Sequence, residues 1–124
     1  MSTQHRIKKL QTQRNQLLDE VLAVRAMVPG SFKEVYRKCG KKNCWCAEEG
    51  GHPLRRITWS DNGTSRSKAI PENDVEWIEH TTEQYREFKT KCRELLKLDA
   101  DLKELLDTHE KEIVAKTRHL RDYL

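Results

Sequence analysis

From Ile7 the apolar side chains recur as Ile7, Leu10, Leu17, Val21, Val24 and Val28, in alternating steps of three and four with only Arg14 out of place. Leu18 and Leu22 widen the stripe. Such spacing keeps one face of an α-helix apolar. It predicts a helix over about residues 4–27, roughly 35 Å long at 1.5 Å per residue, closed by Pro29-Gly30. Ser31 with Glu34 three residues on has the spacing of a capping box. It predicts a short second helix that carries Phe32, Val35 and Tyr36 towards Gly40.

The pattern then changes. "LRRITWS" and "TSRSKAI" flank Asp61-Asn62-Gly63, and Asn-Gly between two extended runs is a strong hairpin signal, because both residues tolerate the positive φ of a type I′ turn. With Asn62 and Gly63 at the tip, Trp59 faces Arg66, Ile57 faces Lys68 and Arg55 faces Ile70. The other side sets Arg56, Thr58 and Ser60 against Ala69, Ser67 and Ser65. Neither side is cleanly apolar, so this hairpin needs local support to be stable. Pro71 ends it, and Asn73 with Glu76 repeats the capping-box spacing. No Gly or Pro follows. Val75, Ile78, Tyr85, Phe88, Cys92, Leu95, Leu98, Leu102, Leu106, Ile113 and Leu120 keep the helical rhythm, with a slip near Asp99. A helix of about 50 residues, roughly 75 Å if unbroken, is expected. Its stripe is too long for the N-terminal helix to cover. A second copy, or a turn near Asp99 to Asp107, has to cover the remainder.

The expected fold is mainly α, of the α+β class. Residues 1–28 form an N-terminal amphipathic helix, 29–72 a Cys/His knuckle with a basic β-hairpin, and 73–124 a long coiled-coil-like helical segment. Length and composition agree with this. The 124 residues allow one ordinary domain, and apolar and charged residues at 35% each favour an elongated helical molecule over a compact sphere.

Charge locates the partner. Residues 1–28 hold five basic against two acidic residues (+3), residues 29–70 nine against four (+5), and residues 71–124 ten against fourteen (−4). The positive field is centred on the knuckle and hairpin, which points to an anionic partner there. No apolar run approaches the roughly 18 residues of a membrane span, and the polar start "MSTQHRIKKLQTQRNQ" has no secretory h-region. A cytoplasmic protein with reduced thiols is expected, so clustered cysteines suggest metal or catalysis before disulfides.

Cys39, Cys44, Cys46 and His52 have the spacing C-x4-C-x-C-x5-H. Three thiolates and an imidazole make a closed, tetrahedral structural zinc site, and Zn2+ is the expected cofactor. His80 or a partner-chain thiol can replace His52. Lys38, Lys41 and Lys42 offset thiolate charge, and Gly40, Gly50 and Gly51 permit tight turns. The rival readings are uncoordinated thiols and a thiol-based redox sensor in which Cys44 or Cys46 reacts. Cys92 sits on the apolar stripe and reads as a small core hydrophobe. His109 and His119 read as surface or seam residues. No acid pair, phosphate loop or Ser/His/Asp set can be singled out, so no enzymatic activity is expected.

Lys38, Lys41, Lys42, Arg55, Arg56, Arg66 and Lys68 are the expected nucleic-acid contacts, with Lys33 and Arg37 just upstream. A basic ribbon can enter a major groove, and Arg is the commonest partner for base edges. The expected function is a zinc-stabilised DNA-binding accessory protein that dimerises through its helices. The alternative is a coiled-coil adaptor in which zinc only fixes the angle between helices.

"VPGSFKEVYRKCGKKNCWCA", the Gly-Gly-His-Pro, the strand with Trp59, the Asn-Gly turn and "AIPENDVEWI" resemble a small, functionally uncharacterised bacterial domain family over about residues 28–98. That resemblance implies a metal role for Cys39, Cys44, Cys46 and His52. It also implies an accessory protein of a mobile element, acting beside a transposase or recombinase. After His52 the chain has Pro-Leu where the family has Gly-Pro and an aromatic. The order from Leu54 to Ile78 is also similar to the basic sheet-plus-helix modules with which tyrosine recombinases hold arm-type DNA. Those modules have a third strand that is not evident in this sequence, and the likeness is at the level of fold.

Overall fold

The computed structural model describes residues 1–45 and 50–124. Helix α1 spans Thr3–Leu22, strands β1, β2 and β3 span Ser31–Arg37, His52–Asp61 and Thr64–Ala69, and helix α2 spans Val75–Arg118 after a 3-10 turn at Glu72–Asp74. An N-terminal helix, a β-containing Cys/His segment and a long C-terminal helix are thus present as the sequence predicts. Residues 99–107 are helical throughout, with no turn that folds the chain back.

Two details differ from the sequence reading. Residues 31–37 form a strand, not a short helix. Eight residues between Pro29-Gly30 and Cys39-Gly40 are too few to repay the cost of helix nucleation, and Phe32, Val35 and Tyr36 are good strand formers. Helix α1 stops at Leu22 with Ala23 as its C-cap, short of residue 27. The residue before a proline is disfavoured in α geometry, and the Val28 N–H donates instead to the Thr81 carbonyl of α2 at 3.1 Å.

The chain divides into two compact units, Ala26–Glu87 and Met1–Arg25 with Phe88–Leu124. The first holds a three-stranded antiparallel sheet in the order β1-β2-β3. The hairpin register is the one predicted, with Trp59 opposite Arg66, Ile57 opposite Lys68 and Thr58 opposite Ser67. Asn62 (φ 50°) and Gly63 (φ 83°) take the positive angles of its turn. Strand β1 supplies the support the hairpin lacked, pairing Phe32 with Ile57 and Val35 with Leu54. Thr81 and Thr82 on α2 are fully buried, and both hydroxyls donate to the Ile78 carbonyl, at 3.2 and 2.9 Å. No room remains for a larger side chain there. Thr82→Leu is expected to lower stability by about 1–3 kcal/mol through overpacking, read as a drop in the melting temperature of the full chain.

In the second unit α1 runs antiparallel to the later part of α2. Thr3 Oγ1 donates to Glu112 Oε1 at 2.7 Å, Arg14 Nε meets Asp99 Oδ1 at 2.8 Å, and Lys91 Nζ lies 3.7 Å from Glu20 Oε2. Such exposed pairs fix register more than they add stability. Leu10 and Leu17 face Leu98 across an open groove of about 460 Å³. No residue of this unit is buried.

Candidate metal centre

Arg37 is paired with His52 across the ends of β1 and β2, so the connecting residues 38–51 leave and re-enter the sheet at one place. Cys39 lies two residues past the end of β1, and His52 opens β2. Between them the Cys44 N–H donates to the Lys41 carbonyl at 3.3 Å, a turn that brings Cys44 back over the strand ends. The ligand atoms of Cys39, Cys44 and His52 all lie within 4.8 Å of one another. Cys44 Sγ and His52 Nε2 are 3.2 Å apart. In tetrahedral zinc sites Zn–S is about 2.3 Å and Zn–N about 2.0–2.1 Å, which sets donor atoms roughly 3.5–3.8 Å apart. The three donors are near that spacing, and their chemistry, two thiols and an imidazole, suits a metal ion.

Two residues shape this group. Trp45 meets the His52 ring edge-on, with centroids 4.9 Å apart and planes at 78°, and so restrains the imidazole. Gly51 is buried with φ +120°, and a Cβ there would lie 2.7 Å from both the N and the C atom of Arg37. Only glycine lets the returning chain lie this close to the end of β1.

Of the four ligands expected from sequence, the structure brings together Cys39, Cys44 and His52. Cys46 lies outside the described residues. His80 is exposed on α2, and Cys92 is half-buried on the same helix in the other unit. Neither belongs to the group. Cys39 is exposed, while Cys44 and His52 are half-buried.

The expected nucleic-acid contacts separate. Lys38, Lys41 and Lys42 are exposed on the knuckle. Arg55, Arg66 and Lys68 share one face of the sheet, and Arg56 is on the other, because paired residues point the same way and alternate along each strand. Arg55 Nη2 lies 3.8 Å from Glu34 Oε1, and Arg66 Nε lies 3.0 Å from Asp61 Oδ2. Arg56 Nε donates to Ser67 Oγ at 2.8 Å. Sequence reasoning missed Trp45 as a neighbour of His52 and Glu34 as a partner of Arg55. The alternation of Phe32, Glu34 and Tyr36 with Lys33, Val35 and Arg37 was the available signal for the latter.

Fold and site together define a small three-stranded antiparallel sheet whose first connection carries a Cys/Cys/His cluster. The chain belongs to the family described as a domain of unknown function, DUF6788, whose sequence model matches residues 7–80. That span begins within α1 and ends in the first turns of α2, further towards the N-terminus than the resemblance over residues 28–98. No curated protein and no solved structure matches the chain. No described helix is long and apolar enough to cross a membrane.

Proposed function

We propose that this chain is a non-enzymatic, zinc-stabilised nucleic-acid-binding accessory protein that acts on DNA beside a mobile-element protein such as a transposase or recombinase. The observation that carries the reading is a basic antiparallel sheet closed at one end by a cluster of metal-ligating side chains. Zinc suits thiolate and imidazole donors. Cys46 is the fourth ligand, and four protein ligands leave no position for a substrate, which makes the ion structural. Held in shape at residues 38–52, the segment presents its cations in a fixed arrangement. Strand β1 also completes a three-stranded sheet followed by a helix, which supports the likeness to the arm-binding modules of recombinases at the level of fold.

The second unit supplies self-association. Leu96 (71% exposed), Leu106 and Ile113 along α2, with Leu120 just beyond its end, present apolar surface, and burying it against a second copy gives a homodimer. The same surface supports the adaptor alternative, in which the helices dock a protein partner.

The test is binding of the full, zinc-loaded chain to a duplex of about 20 base pairs as salt is raised. If the basic segment neutralises four to six phosphates, the logarithm of affinity falls with the logarithm of salt with a slope of about −4 to −5. Absence of binding at low salt would rule the reading out.

A further inference from the structure

The register divides the sheet into two faces of different chemistry. One face holds Phe32, Glu34, Tyr36, Pro53, Arg55, Ile57, Trp59, Asp61, Thr64, Arg66 and Lys68. Its apolar pair Phe32 and Ile57 is half-buried. Trp59 lines a cleft with Tyr85 and Arg86 of α2, and so do Ser31, Thr58, Ser60 and Ser65 of the opposite face. Two of its three cations, Arg55 and Arg66, lie against Glu34 and Asp61. The charge of this face is nearly neutralised, although Tyr36, Thr64, Arg66 and Lys68 on it are exposed.

The opposite face differs in charge. Every residue that β1 and β3 contribute to it, among them Ser31, Lys33, Arg37, Ser65 and Ser67, is exposed. Five rows lie there, in order Ser60–Ser65, Ser31–Thr58–Ser67, Lys33–Arg56–Ala69, Val35–Leu54, and Arg37–His52 at the cluster end. Among the described residues this face carries Lys33, Arg37 and Arg56, rows of hydroxyls, and no Asp or Glu. Hydroxyls and cations without carboxylates are what a phosphate backbone needs. Strands about 4.8 Å apart set the outer backbones of a three-stranded sheet roughly 10 Å apart, and a major groove is about 12 Å wide.

We infer that duplex DNA is bound by this acid-free face, through Lys33, Arg37 and Arg56 with the Ser31, Thr58 and Ser67 hydroxyls, and not by the face of Arg55, Arg66 and Lys68. The inference rests on the nucleic-acid reading above and names the surface and the form of nucleic acid. Arg56 sits on the central strand, where it projects towards the groove floor, while Lys33 and Arg37 on the edge strand reach the flanking phosphates. The Arg56 bond to Ser67 Oγ holds its guanidinium extended over the face.

Two triple variants of the full chain decide the matter, K33Q/R37Q/R56Q and R55Q/R66Q/K68Q. Each removes three positive charges, so long-range attraction changes equally and only the face differs. The first is expected to bind a 20-base-pair duplex about 100-fold more weakly, with a salt slope smaller by about 2 to 3, and the second within about threefold of the parent. Metal content shows whether each variant keeps its knuckle. If the first is poorly folded, A69K beside Arg56 on the acid-free face should tighten binding severalfold while T64K on the opposite face does not. Equal losses, a larger loss in the second variant, or equal gains from the two lysines would overturn the inference and leave the nucleic-acid reading standing. A parent chain that binds no duplex at low salt removes both. Preference for single strands over duplex by the parent would overturn the groove assignment alone.

Discussion

Removal of zinc by a chelator is expected to lower the melting temperature of the sheet-bearing unit by about 12–24 °C, corresponding to about 3 kcal/mol for a unit of this size. Residues 38–51 bring no large buried side chain of their own among those described; Gly51 is the one buried position there. On the proposed zinc reading the metal holds Cys39 and Cys44 against His52, and in a segment of this kind metal-binding free energy is folding free energy. Cys44→Ala should reproduce the loss, because it removes the donor that stands 3.2 Å from His52 Nε2. Metal affinity should also weaken as pH falls, since the ligands bind as thiolates and neutral imidazole and protons compete for them. Identical melting curves with and without chelator would mean that the cluster contributes nothing to the fold.

Gly51→Ala should cost about 3 kcal/mol or more. A φ of +120° lies where side-chain-bearing residues pay about 1–3 kcal/mol in strain, and the added Cβ would meet Arg37 backbone atoms at 2.7 Å. Backbone cannot rotate away as a flexible side chain can. Relief would require the ends of β1 and β2 to separate, which takes His52 away from the cysteines. Gly40 provides the control, because its φ is +83° but nothing lies within 4 Å of its ideal Cβ. Gly40→Ala should therefore cost only the left-handed penalty of about 1–2 kcal/mol and leave metal affinity nearly unchanged. Equal effects of the two substitutions on metal affinity would show that the strand ends do not position the ligands.

Much of this was legible in sequence because the signals were local. The Asn62-Gly63 turn fixes the register of β2 and β3 by itself, and the helical periodicity after Pro71 continues without a breaker to Arg118. Cys39, Cys44 and His52 could be grouped because a closed zinc site needs several donors on a short segment. Strand β1 was not legible, since Ser31 and Glu34 satisfy a capping box as well as strand alternation. Its identity is decided by β2, whose Leu54 and Ile57 meet Val35 and Phe32. The division of charge between two faces depends on that same pairing. Arg55 and Arg66 look like free cations in sequence, whereas cross-strand geometry sets Glu34 and a hairpin-end bond sets Asp61 beside them. The cluster's shaping by Gly51 and Trp45 likewise depends on where β1 ends.

The most direct test of zinc as the element that shapes this segment is metal content of the purified full chain, determined together with the number of thiols protected from a mild alkylating reagent. One zinc per chain with Cys39, Cys44 and Cys46 protected, and Cys92 unaffected by chelation, is the expected result. Protein free of bound metal that fails to take up zinc at neutral pH, with Cys39 and Cys44 alkylated as fast as in unfolded chain, would contradict it.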